Sequence, residues 1–344
     1  PNVGIYVKNS AKTVTNSGDI TVGKNSIGIY GYEVTGNGGN ITVGDNGTGI
    51  FSQGGNVTLN GGKLTVGNGK AVGVLTNGSG QTITSTADIQ LGNSKSYGFV
   101  IKGSGTNADI NDADGTKLNN ESVFMYSSDK TSNVINRTAL ESTGNKNYGL
   151  YSSGNVKNLA DINFGIGLGN VGIFSVEDGT AVNGDPGLAT QPVITTGFSN
   201  PANKEYSIGM AAGYLDENTG KPVTTGHIKN YGTINVPQAN GIWMYAAGPG
   251  STADNYGIIE LSGENSIGMY LDQGAVGVKH AGAEIRTAPN NNKDGIIGVV
   301  ALNNALFKNY GRIIIDSGEG IGVYHAKDGK FDPASGSITV SGTG

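Results

Sequence analysis

The sequence contains no cysteine, a single tryptophan (Trp243), three arginines (Arg137, Arg286 and Arg312) and no apolar run long enough to cross a membrane as a helix, which takes about 20 residues. Without cysteine, disulfide staples and thiolate metal sites are impossible, so stability has to come from packing and length. Lys and Arg number 22 against 27 Asp and Glu, which leaves no basic patch of the kind nucleic acid demands. The first residues show no basic segment leading into an apolar stretch, so no secretory leader is visible. Proline is scarce (9) and glycine does not fall at every third position, which excludes collagen. Disorder is excluded too: 36% of residues are hydrophobic and the net charge is only −5.

What is abundant is glycine, 60 of 344 residues, about 17% and more than twice ordinary usage. In helix interiors each glycine costs roughly 0.5–1 kcal/mol relative to alanine. A helix-rich globular fold is therefore excluded, and a β-rich, turn-rich chain remains.

Self-similarity organises that chain. The tetrad Ile27-Gly28-Ile29-Tyr30 recurs thirteen times, among them Val3-Gly4-Ile5-Tyr6, Thr48-Gly49-Ile50-Phe51, Tyr148-Gly149-Leu150-Tyr151, Ile242-Trp243-Met244-Tyr245 and Ile321-Gly322-Val323-Tyr324. Successive copies are 24, 21, 24, 25, 26, 25, 23, 37, 34, 25, 30 and 24 residues apart. A second element, such as Ile20-Thr21-Val22-Gly23 or Leu64-Thr65-Val66-Gly67, precedes each copy by eight or nine residues. A third, an apolar residue followed by Asn-x-Gly, lies ahead of that, as in Val14-Thr15-Asn16-Ser17-Gly18 and Ile228-Lys229-Asn230-Tyr231-Gly232. Alternating β-branched runs read as strands, and Asn or Gly between them supplies the left-handed backbone of tight corners. Three short strands per repeat cannot bury their apolar sides alone; stacked coil on coil they form a continuous core. The pattern predicts an all-β, three-strand-per-coil parallel β-helix (solenoid) of about 13 coils with loop insertions. Residues 1–344 read as a single β-helix segment, and the opening Pro1-Asn2-Val3-Gly4 as the middle of a pattern, hence an excerpt of a longer protein.

The tetrad also predicts faces. Its third position is apolar in all thirteen copies and is expected to point inward. The second is Gly in eleven and the fourth aromatic in nine, so both are expected to point outward, giving a smooth glycine groove beside an aromatic ladder. Stacked rings either stabilise that face or offer a surface to sugar rings or a partner's side chains.

The frame Val14-x-Asn16-x-Gly18-x-Ile20 followed by Gly28-Ile29-Tyr30 resembles the passenger-domain repeat of bacterial type V autotransporters. With the Asn and Gly richness and Lys preferred to Arg, the chain is most similar to the large outer-membrane adhesins of fusobacteria. The resemblance spans essentially all 344 residues. It implies a right-handed β-helix on the cell surface, exported through and anchored by a C-terminal membrane barrel outside this chain. It also implies attachment to host cells or other bacteria through a surface protein or glycan. The absence of cysteine agrees with a chain that crosses the periplasm unfolded. The family brings no residue-level binding motif.

Function is expected where single repeats lengthen, because solenoid insertions emerge as loops. Insertions are expected at about 177–206 and 212–227, with a smaller one at about 288–294. The two larger are expected to follow the same strand in consecutive coils and to protrude side by side. Candidate ligand-binding residues are Glu177 and Asp178 in the first and Tyr214, Asp216 and Glu217 in the second. Trp243, which replaces the groove glycine one coil on, is either an outward anchor or packed beneath those loops.

Other motifs carry little. Gly167-Leu168-Gly169-Asn170-Val171-Gly172 fits the dinucleotide fingerprint but lacks a following helix. Asp112, Asp114 and Glu121 fall at calcium-loop spacing, but Ile110 stands where the first ligand belongs; a looser oxygen site at Asp109, Asp112 and Asp114 stays open. Asp316-Ser317-Gly318 resembles a serine nucleophile loop, with His227, His280 and His325 as the only possible bases. No catalytic residue, metal or cofactor is expected, nor contact of this segment with membrane or nucleic acid, and the chain is expected to be a monomer. The reading is a non-enzymatic adhesin segment. The alternatives are a purely structural stalk, or a β-helical polysaccharide lyase or hydrolase, which would need carboxylates or basic groups clustered on one strand face.

Overall fold

The computed structural model describes residues 2–342 and resolves two compact units, Pro1–Asp161 and Ile162–Gly344. Both are parallel β-solenoids with three strands per coil, and the only helical element among the described residues is a single 3-10 turn, Pro201–Asn203. In the first unit the tetrads form one sheet, with Val3–Tyr6, Ile27–Gly31, Thr48–Ser52 and Val72–Thr76 pairing parallel in register. The Asn-x-Gly elements lie in the second sheet, as in Thr13–Asn16 paired with Glu33–Asn37, and the sheet continues through Asn107–Ile110, Asn133–Asn136 and Asn155–Asn158. The Ile-x-Val elements form the third, as in Ile20–Val22, Ile41–Val43 and Lys63–Val66. The second unit repeats the scheme, with tetrad strands Val171–Ser175, Ile208–Ala212, Ile242–Ala247 and Ile267–Asp272 in one sheet.

Identical positions stack because a one-coil step conserves register, so a period-2 pattern is copied from coil to coil. The third tetrad position lies in the core as the alternation predicts: Ile29, Ile50, Phe99, Leu150, Ile173, Met244 and Met269 are at most 2% exposed. The fourth position faces out and forms ring stacks, Tyr6 on Tyr30 (centroids 4.7 Å apart), Tyr126 on Tyr151 (5.4 Å) and Tyr245 on Tyr270 (5.8 Å).

The second position corrects the sequence reading. Pairing runs through the first, third, fourth and fifth residues and skips the second, so two consecutive residues face the core and the alternation breaks. A Cβ on Gly28 would sit 2.5 Å from the Gly49 carbonyl oxygen and 3.0 Å from Cγ2 of the core residue Ile41. Gly49, Gly73, Gly172 and Gly268 meet their neighbours in the same way. The glycines therefore line no outer groove. They let the backbones of successive coils close over the core.

Corners are held by asparagine. Asn136 Nδ2 donates to Oδ1 of Asn158 in the next coil (2.8 Å) and to the Thr138 carbonyl two residues on (3.0 Å). In the second unit Asn183, Asn230 and Asn255 continue the pattern at 3.0 and 2.9 Å. One buried amide thus satisfies its own turn and the next coil, which is why Asn-x-Gly marks these corners.

Gly28→Ala is expected to lower stability by about 1–3 kcal/mol, as overpacking does. Gly18→Ala, where a Cβ meets nothing within 4 Å, should stay within about 0.5 kcal/mol of the parent. Urea midpoints of the two variants check the contrast.

Candidate ligand-binding surface

The insertions leave the solenoid at different corners rather than after the same strand. Glu177 and Asp178 (φ 52° and 62°) form an ordinary corner after a tetrad strand, matched in a later coil by Asn303 and Asn304 (φ 48° and 64°). The first extra residues come later, between strands Gly179–Asn183 and Val193–Phe198. There Gln191 Nε2 donates to the Asp185 and Leu188 carbonyls (2.6 and 3.2 Å) and closes the loop on itself. A second loop, 199–207, carries the 3-10 turn and precedes the tetrad strand Ile208–Ala212. The third is an antiparallel hairpin after that strand, Tyr214–Leu215 paired with Pro222–Thr224.

The hairpin is docked on its neighbours. Its Thr224 Oγ1 accepts the Glu177 N–H (2.7 Å), Thr225 Oγ1 donates to the Asp178 carboxylate, and the Tyr214 ring lies 6.0 Å from Phe174. In the aromatic register Ala211 follows Phe174, so this coil lacks a ring of its own there, and Tyr214 of the hairpin meets the Phe174 ring. At the tip, Lys204 Nζ from the second loop donates to the Glu217 carbonyl (3.3 Å). The two loops and the 177–178 corner therefore form one continuous surface.

Five candidate residues, Glu177, Asp178, Tyr214, Asp216 and Glu217, lie on that surface, and Asp216 organises its turn. Asp216 Oδ1 accepts from the Thr219 N–H (2.8 Å), the Thr219 hydroxyl (2.8 Å) and the Asn218 N–H (3.1 Å). The Thr219 backbone N–H, then its hydroxyl, hold this carboxyl below the usual range. Its Oδ1 shapes the turn, and Glu177, Glu217 and Tyr214 around it are exposed.

Trp243 does not belong there. It is 0% exposed because the second tetrad position faces the core, and its Nε1 is buried without a hydrogen-bond partner. Phe124 replaces glycine likewise and packs edge-on against Phe99 (5.7 Å).

The other motifs dissolve into the repeat. Asp109 faces Arg137 (2.9 Å), while Asp112 turns inward, accepting from the N–H groups of Ile89 and Asp114 (3.0 Å each) and the Thr116 hydroxyl (3.1 Å). Burial pushes the Asp112 carboxyl up despite those bonds. Among the described residues no three His, Cys, Asp or Glu are grouped to hold a metal ion. Ser317 donates to the Lys293 carbonyl (2.8 Å), and the histidines bond elsewhere: His227 to Thr252, His280 to Asp254 and His325 to the Gly329 carbonyl. Gly172 is a core-facing tetrad glycine, with no helix after it.

Three features of the second unit escaped sequence reasoning because register, not sequence proximity, assembles them. On the third sheet Arg286 bridges Glu284 (2.8 Å) and Glu260 (3.2 Å), and Arg312 reaches Glu284 (3.2 Å). At the corner, Tyr231, Tyr256 and His280 stack at 4.7 and 3.8 Å. Beside them Lys279 occupies an asparagine place in the ladder, between Asn255 and Asn309, fully buried, with Nζ donating to the Ala283 carbonyl (2.9 Å). The recurrence of a residue after each corner Asn was the signal available for the last two.

A parallel β-solenoid with docked surface loops is the architecture defined so far. Residues 31–282 match the family model described as the BigA third pectate lyase-like domain, 252 of the 344 residues. The chain belongs to this family of pectate lyase-like β-helix domains, and BigA is a bacterial surface protein. No curated protein and no solved structure matches the chain.

Burial lowers the Lys279 pKa to about 8 from 10.5, Glu284 opposing and Arg312 reinforcing the shift. Below pH about 8 the folded chain must hold a buried charge; that penalty fades as pH rises from about 8 to 10.5. Stability is therefore expected to rise with pH across this window. Lys279→Asn, which restores the ladder, should be more stable at pH 7 and lose that rise, as read from melting temperatures at each pH.

Proposed function

We propose that this chain is a surface-displayed adhesin segment that attaches a bacterium to another surface through the insertions of its second unit, the solenoid serving as their scaffold. The docked hairpin carries the reading: residues added to one coil are fastened by the 177–178 corner, by Phe174 and by Lys204, and still present Tyr214, Glu177 and Glu217 to solvent. Loops on a rigid scaffold are where binding residues concentrate, because the scaffold supplies precision and the loop supplies reach. The family of a bacterial surface protein supports display outside the cell. The similarity to autotransporter passengers supports the same role.

A pectate lyase-like fold also keeps a polysaccharide lyase in view, and the array Glu260, Arg286, Glu284 and Arg312 is where such chemistry would be sought. Its carboxylates are engaged by the two guanidiniums, an arrangement that ties strands of successive coils. That favours a structural role for the array, and the stacked tyrosines of the tetrad sheet supply no acid–base pair. The Tyr270 hydroxyl, pushed up to about 12 chiefly by burial, stays protonated at neutral pH.

Replacing residues 214–224 by a short Gly-Ser turn is expected to reduce attachment of the purified chain to target cells by about tenfold or more, the scale of losing a central contact cluster, with an unchanged β-rich circular dichroism spectrum. Attachment that survives the replacement returns the chain to the role of a stalk, and turnover of polygalacturonate by the parent chain would favour the lyase.

A further inference from the structure

Charge is spread unevenly along this chain. Residues 162–225 hold six carboxylates (Glu177, Asp178, Asp185, Glu205, Asp216 and Glu217) and two lysines (Lys204 and Lys221), a net of −4 out of −5 for the whole sequence. The other 280 residues are nearly neutral, with 21 acidic and 20 basic side chains. The same stretch exposes Ile166 (63%), Val223 (52%), Phe198 (46%) and Tyr214 (39%). Register explains that exposure. The pairing of Ile162–Leu168 with Val193–Phe198 slips between Phe164 and Leu168, which turns Ile166 outward, and Val223 and Tyr214 ride on the hairpin.

We propose that this insertion surface docks a cationic polypeptide segment whose basic side chains alternate with apolar ones; the inference rests on the adhesin reading above and names the chemistry of its partner. The apolar groups alone would fit many partners, and the charge selects among them. Basic groups meet a surface on which Glu177, Asp178, Glu205, Asp216 and Glu217 outnumber Lys204 and Lys221, a net of −3, whose field raises the encounter rate and fixes orientation. A uronate polymer meets repulsion instead, and both arginines of this unit lie on the third sheet, tied to Glu260 and Glu284. A neutral glycan needs an open ring face, whereas Tyr214 already leans on Phe174. Exposed apolar side chains give the area, as aromatic and aliphatic anchors do at protein interfaces.

The test uses the full chain and a labelled 16-residue peptide in which Lys alternates with Leu, Tyr and Ser, beside the same peptide with Ser for every Lys, maltohexaose and polygalacturonate. The Lys peptide is expected to bind, and to weaken about tenfold or more between 0.1 and 1 M NaCl, where the screening length falls from about 10 to about 3 Å. The other three probes should neither bind nor compete. The double variant Glu177→Gln, Glu217→Gln should lose about tenfold in affinity, mainly through the association rate, with an unchanged melting temperature. Because both residues are exposed, a loss of fold is not the expected route; if the double variant does unfold, Tyr214→Ser replaces it and should weaken the same peptide. Equal binding of the Ser peptide, binding indifferent to salt, or competition by either glycan overturns the cationic partner. If cell attachment still depends on the hairpin in that case, the adhesin reading stands and only the partner chemistry fails; if attachment ignores the hairpin, the docking surface fails with it.

Discussion

At the second position of each tetrad, the backbone of one coil lies so close to the next that a side chain has no ordinary place there: a Cβ would fall 2.5 Å from the next coil's carbonyl oxygen at Gly28 and Gly268, and 2.7 Å at Gly49. This approach sets the rest of the structure. It breaks the alternation of the strand, turns two consecutive residues into the core, and leaves the first and fourth on the outer face, where Tyr148 and Tyr151 meet edge to face at 5.7 Å. The core can then be filled by Ile, Val, Leu and Met from three sheets, each fully buried side chain contributing about 1.5–3 kcal/mol against the entropy of ordering the chain. Where the constraint is relaxed, at Phe124 and Trp243, the ring enters the core instead of leaving it.

The same in-register stacking decides what the surface can do. Strands within each sheet pair with the strand before and the strand after, and the corners are closed by amides that bond both their own turn and the next coil. Novelty therefore enters only where a corner lengthens, and in the second unit the 199–207 loop and the 214–224 hairpin meet on one surface. Their internal bonds, Asp216 in its turn and Gln191 across its loop, hold them in shape before any partner arrives. Preformed loops lose less entropy on binding than mobile ones.

Much of this was legible in the residues. Thirteen tetrads at a spacing near 24, each preceded by two β-branched runs, define a three-strand parallel coil because no other packing gives every short strand a partner. The aromatic fourth position and the apolar third read correctly for the same reason: a period of two names the face. The second position misled, since strict alternation places Gly28 opposite Ile29, and only the coil-to-coil carbonyl contact reveals that both face inward. Glu177 and Asp178 were read as inserted because spacing counts residues without locating the corner that absorbs them. The Arg286–Glu260 pair and the place of Lys279 between Asn255 and Asn309 join residues 24 to 30 apart, which meet only through register.

Trp243 allows the inward turn of the second position to be measured directly, because it is the only tryptophan in the chain. Its fluorescence in the native protein reports on the core alone. An indole in the core should emit well to the blue of the urea-unfolded chain and be almost unquenched by iodide until the protein unfolds. Red-shifted emission that iodide quenches in the native state would place the indole outside, restore the glycine groove as an open surface, and contradict the core on which the rest of the structure is built.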